Sequence, residues 1–243
     1  MSVPQRNPFY SEAPRPLRPP PAGGRPFSPP QGQAAPQPHF HFSGRELGHL
    51  AVGIVALTLA VSFLLEEGQP PDNLTPSPES LLVAAVSVLT GFVLHELAHK
   101  VVAQAYGHWA EFRAQFAGLG ITMAVAAFTH FLFAAPGAVM IQGRVTPREN
   151  GIISLVGPGL NAVVALAAWL PALPLDVSQP GPRLLHIVAL VNAVLCIFNL
   201  IPVFNLDGKK VLRWNGPVYA VAMVGAVAIL AGILLTLGAP DLS

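Results

Sequence analysis

Hydropathy divides the chain into a polar opening stretch and a series of long apolar runs separated by short polar loops. Residues 1–44 hold 12 of the 26 prolines, with Gly, Gln, Ser and four arginines. Such a segment buries too little apolar surface to offset its ordering entropy, so it is expected to be a disordered tail. The first apolar run, 46–65, is about 20 residues long and makes about 30 Å of helix, enough to cross a bilayer. An acidic, Pro-rich loop follows. Further apolar runs at 81–106, 150–173, 184–204 and 218–237 predict four more spans. The segment 113–144 is apolar but irregular, interrupted by Gly118, Gly120, His130, Pro136 and Gly137. Beside it, 138–145 has the composition of a strand.

Composition agrees with this pattern. Apolar residues make up 52% of the chain and charged residues only 10%, against a usual charged share of about 25%. The expected fold is an all-α polytopic membrane protein of five to six transmembrane helices. A re-entrant, strand-like element is expected near 113–145, and a membrane-embedded domain over 45–243 behind the tail. A net charge of +1 implies no nucleic-acid partner. The single cysteine, Cys196, lies in an apolar run and reads as a small core side chain.

The loops set the expected topology. Suppose the tail is cytoplasmic and 113–144 dips into the membrane and returns to the same side. Then 12 of the 13 Lys and Arg residues face the cytoplasm and only Arg183 lies outside. A full crossing by 113–144 would move Arg144, Arg148, Lys209, Lys210 and Arg213 outside. The charge count favours five spans plus a re-entrant segment in a multi-pass protein of the cell membrane; six spans remain the alternative.

The chemistry sits in the second span, where His95-Glu96-Leu97-Ala98-His99 is set in nearly uncharged sequence. Positions i and i+4 share one helix face, so both imidazoles can take corners of one tetrahedral zinc site. Glu96 lies beside the first ligand, where a carboxylate can take a proton from water. Ionisable side chains at membrane depth are costly and point to function. A catalytic zinc needs a third protein ligand. His99 lies toward the inner end of its span, and with five spans Asp207 falls at an inner end too, after an apolar run broken by Pro202. Asp207 is therefore the candidate third ligand. Asp207-Gly208 can also be read as an ordinary helix-ending turn.

The three motifs together are specific. His95-Glu96-Leu97-Ala98-His99, then Gly157-Pro158 with Asn161, then Asn199-x-x-Pro202 leading to Leu206-Asp207-Gly208, resemble the site-2 protease family of intramembrane zinc metalloproteases. The motifs stand in the family's order, and the likeness covers about 46–238. Pro136-Gly-Ala-Val and the run from Arg148 resemble archaeal members, and no inserted PDZ domain or CBS pair is evident. The resemblance implies that His95, His99 and Asp207 hold Zn2+ and that Glu96 is the catalytic base. Asn199, with Asn161 beside it, is implied as a substrate or oxyanion contact. Asn161 with Gly157 and Gly159 reads more readily as close helix packing.

The implied activity is hydrolysis of peptide bonds within or near transmembrane segments of membrane proteins. Such a substrate must unwind before attack, and the 138–145 strand is expected to receive it as an added strand. Proline at Met140 or Gln142 is expected to block that pairing. The alternative is a metal-binding membrane transporter or sensor, which would have no need of Glu96 as a base. Partners are thus transmembrane protein substrates and the lipid bilayer.

Overall fold

The computed structural model describes residues 40–66, 74–129, 137–176 and 178–237. The expectations for the tail up to residue 39, for His130 and for Pro136 lie outside these residues. Five helices are long and apolar enough to cross a membrane. They are α1 (Gly44–Leu65), the 28-residue stretch Pro78–Ala105, α5 (Pro147–Ala172), α6 (Pro180–Leu200) and α8 (Gly216–Leu237). The chain is an all-α polytopic membrane protein with a small strand pair.

Helix starts follow from local sequence. Ser43 accepts from the Glu46 N–H at 3.1 Å to cap α1. Ser77 does the same for Ser80, with Pro78 in the first turn, where its missing N–H costs nothing. Thr146 and Glu149 form a reciprocal capping box at the start of α5, at 3.2 and 2.7 Å. The long second helix is not uniform. It runs as α2 (Pro78–Val88), a π-helical turn (Leu89–Val93) and α3 (Leu94–Ala105). Such a turn carries one extra residue and is frequent at functional sites. Here it ends just before His95.

The irregular segment resolves into β1 (Trp109–Ala114), α4 (Phe116–Thr129) and β2 (Gly137–Gln142). At 14 residues, α4 is about 21 Å long, short of the ~30 Å hydrocarbon core. The strands pair antiparallel from Trp109 opposite Gln142 to Ala114 opposite Gly137. The segment therefore begins and ends at the same place, which supports five spans over six. The strand-like reading of 138–145 holds for its first five residues; Gly143 turns out of the strand at φ +129°.

The outer edge of β1 is closed by α1. Glu46 accepts the Phe112 N–H at 2.9 Å, and His49 Nδ1 accepts the Ala114 N–H at 3.0 Å. Antiparallel strands alternate between residues that pair with the partner and residues that face away. Phe112 and Ala114 face away from β2, so their partners Val139 and Gly137 face away from β1. The edge of β2 presented by Gly137, Val139 and Ile141 is thus the open one. Met140 and Gln142 point their N–H groups at β1, which overturns the choice of those positions for a proline test.

Glu46 does more than hold β1. Its other oxygen pairs with Lys100, and both side chains are buried. The Lys100 ammonium also lies 4.0 Å from the centre of the Phe42 ring. This buried pair fixes the start of α1 to the helix that carries His95 and His99. Around it, Leu50, Leu57, Val88, Phe92, Phe112 and Leu119 form one apolar core across α1, α2, the π turn, β1 and α4.

Candidate metal centre

α3 begins directly after the π turn, and His95 and His99 lie one turn apart, both buried. Their Nε2 atoms are 2.9 Å apart. The third donor arrives from a chain break. Helix α6 ends at Leu200, and Pro202 prevents its continuation. The chain then turns and starts α7 (Asp207–Trp214). Asp207 therefore begins a helix rather than ending one. A side chain at Gly208 would overlap the backbone of Leu200. Only glycine lets the two helix ends meet so closely, and that contact brings Asp207 to the imidazoles.

Asp207 Oδ2 lies 3.4 Å from His95 Nε2 and 3.0 Å from His99 Nε2. Zinc at about 2.0–2.1 Å from each donor in a tetrahedral site sets neighbouring donors about 3.3 Å apart. The three atoms match that spacing, and they form a three-residue metal-ligand group among the described residues.

The hydrogen bonds behind the donors decide what belongs between them. His95 Nδ1 is 2.7 Å from Asn161 Oδ1, and His99 Nδ1 is 2.6 Å from the Ile153 carbonyl. Both Nδ1 atoms face acceptors and carry the ring proton, which leaves both Nε2 lone pairs directed inward. Three electron pairs then meet with no hydrogen between them, an arrangement that a cation relieves. Lys210 holds the other Asp207 oxygen, Oδ1, at 3.1 Å. Its ammonium favours the charged form of the carboxylate.

Helix α5 reaches the imidazoles because Gly157 has no side chain. A Cβ there would lie 2.5 Å from His99 Nε2 and 2.7 Å from His95 Cε1. Gly159 touches nothing comparable. Asn161 stands behind His95, and its amide is fully engaged: Nδ2 donates to the Gly91 carbonyl at 2.9 Å and toward Asn192 Oδ1 at 3.3 Å. It orients a ligand and braces the π turn. These bonds suit the helix-packing reading of this residue better than a substrate contact.

Glu96 lines the same pocket. Its Oε2 is buried without a hydrogen-bond partner among the described residues, and the backbone N–H of Val139 faces its carboxylate. Asn199 also lines the pocket, with Nδ2 donating to the Leu195 carbonyl at 3.0 Å. The pocket, of about 120 Å³, opens into a larger cleft of about 690 Å³. Both share His95, Glu96, Ala138 and Asn199, and the cleft runs along apolar residues of α1, α2 and α6. His108 and His186 stand apart. His108 lies 3.5 Å from Glu149, and His186 bonds the Pro182 carbonyl.

No family model matches the chain, and no solved structure matches it. Curated proteins do. The chain is 34% identical over 188 residues to "Putative zinc metalloprotease" of Methanocaldococcus jannaschii, covering 75% of this chain and 91% of that protein. It is 27% identical to a second protein of that name from Synechocystis sp., over 54% of this chain and 31% of the relative. It is 28% identical to "Zinc metalloprotease", another Methanocaldococcus jannaschii protein, over 54% of this chain and 33% of the relative. The chain thus spans about a third of the two longer relatives and nearly all of the first. With that coverage, and with two imidazoles and a carboxylate converging on one point inside a set of apolar helices, the chain belongs to the zinc metalloprotease family.

Proposed function

We propose that this protein is an intramembrane protease of the site-2 type, cutting membrane proteins within or near their transmembrane segments. One observation carries the reading. Glu96 and the three metal donors line a pocket that opens into a long apolar cleft, in a chain with five membrane-length helices. A soluble substrate has no need of such a cleft.

His95, His99 and Asp207 would hold the zinc. When bound, it polarises a substrate carbonyl and makes water more acidic. Glu96 is the general base: its carboxylate takes a proton from the attacking water and delivers it to the departing amide nitrogen. The unpartnered Oε2 is suited to the first of these steps. Asn161 and the Ile153 carbonyl hold the imidazoles in the tautomer that ligation requires. Asn199 gives one amide hydrogen to Leu195 and keeps its second for the substrate carbonyl.

The free edge of β2 borders Glu96, so an unwound substrate adds there as a strand. Its backbone bonds to the edge formed by Gly137, Val139 and Ile141, which places a peptide carbonyl beside the pocket. The Lys and Arg distribution supports a topology in which the β1–β2 element and the metal centre lie toward the cytoplasmic side of the cell membrane.

Comparing membrane proteomes of cells carrying the native chain or Glu96→Gln tests the reading. Shortened membrane proteins are expected only with the native chain. Identical proteomes, together with a change in metal uptake, would favour a transporter.

A further inference from the structure

Phe204 carries a backbone strain that the packing of this chain does not explain. It is the one non-glycine residue at positive φ among the described residues, at +49°. It occupies the first central position of a tight turn closed by the Leu206 N–H on the Val203 carbonyl at 3.2 Å. Turns with positive φ there favour glycine, and a bulky residue in that conformation is a true outlier. Strain of this kind persists where something else requires it. The residue is 82% exposed, so no core contact within the chain offsets the strain.

Its position is informative. The turn joins the end of α6 to Asp207, between Asn199 and the third metal donor. Phe204 lines the same cleft as His95, Glu96 and Met140 of β2. Gly137 of the open edge lines this cleft as well, so a strand added there runs alongside the turn. We propose that Phe204 is a specificity-determining residue: its ring covers the bound segment opposite β2 and selects a bulky apolar side chain beside the cut bond. This rests on the protease reading above. It adds the substrate feature that the site prefers.

Two experiments on the full chain in lipid nanodiscs test it. The first places a photo-crosslinking p-benzoylphenylalanine at Phe204, at Met140, or at Val221, which is exposed on α8. Each is made in the Glu96→Gln background and mixed with a synthetic Leu/Ala-rich transmembrane peptide. Peptide is expected to label from 204 and 140, and lipid alone from 221. Peptide labelling from 140 with only lipid at 204 overturns the assignment and leaves the protease reading standing. Labelling from neither overturns both.

The second experiment uses Phe204→Gly, which relieves the strain and keeps the turn, so folding is preserved. It compares cleavage of peptides bearing Leu or Ser beside the cut. The Leu-over-Ser preference is expected to fall about 10-fold through KM, with kcat and zinc content unchanged. An unchanged preference overturns the assignment.

Discussion

Asn161 Oδ1 lies 2.7 Å from His95 Nδ1, while the same side chain's Nδ2 binds the Gly91 carbonyl inside the π turn. One amide thus couples the orientation of a metal donor to the wide turn that precedes it. Replacing Asn161 with Ala removes both bonds. Partners behind a ligating His are typically worth about 10- to 100-fold in metal affinity. Chelator competition on the purified protein is expected to show weakening in that range, with zinc still binding at saturating concentration.

Gly157→Ala places a methyl group against both imidazoles. The neighbours are helix-borne rings held by hydrogen bonds, so they cannot yield without losing their aim. Overpacking costs about 1–3 kcal/mol. The variant is expected to insert and fold but to bind less than half the native zinc, as measured by mass spectrometry of the metal.

The parity of β2 gives a sharp contrast. Val139→Pro removes an N–H on the open edge, the one facing Glu96. Met140→Pro removes an N–H that pairs with β1. The first is expected to abolish peptide cleavage while thermal stability and zinc content stay near native. The second is expected to lower stability as well. Equal cleavage by Val139→Pro and the native chain would exclude strand addition at this edge.

Glu46→Gln leaves the Lys100 ammonium buried without its counter-charge. Removing one partner of a buried pair typically costs about 3–5 kcal/mol, whereas replacing both with apolar residues can be nearly neutral. Thermal unfolding in detergent is expected to drop sharply for Glu46→Gln and to recover in part for Glu46→Leu with Lys100→Met.

Much of this was legible in the residues. Long uncharged runs announce spans because few other structures tolerate them, and all five were found within a few residues of their ends. His95, His99 and Asp207 were readable because i, i+4 spacing and a Pro-broken span end have geometric consequences. The Glu46–Lys100 pair was not: the two residues lie 54 apart, and each reads as an ordinary charge at a span boundary. The Ile153 carbonyl and the π turn are backbone features with no residue signature. The parity of β2 depends on Glu46 and His49 closing the far edge of β1, which period-two alternation cannot reveal. Asn161 reads as a helix-packing residue, but its partner, an imidazole on another helix, has no signature in the sequence.

The most direct measurement pairs zinc content with cleavage of a transmembrane peptide by the native chain and Glu96→Gln in nanodiscs. The expected result is about one zinc per chain for both proteins, set by a three-donor site, with cleavage by the native chain alone. Cleavage by Glu96→Gln at the native rate, or a native chain that binds no zinc, would contradict the account.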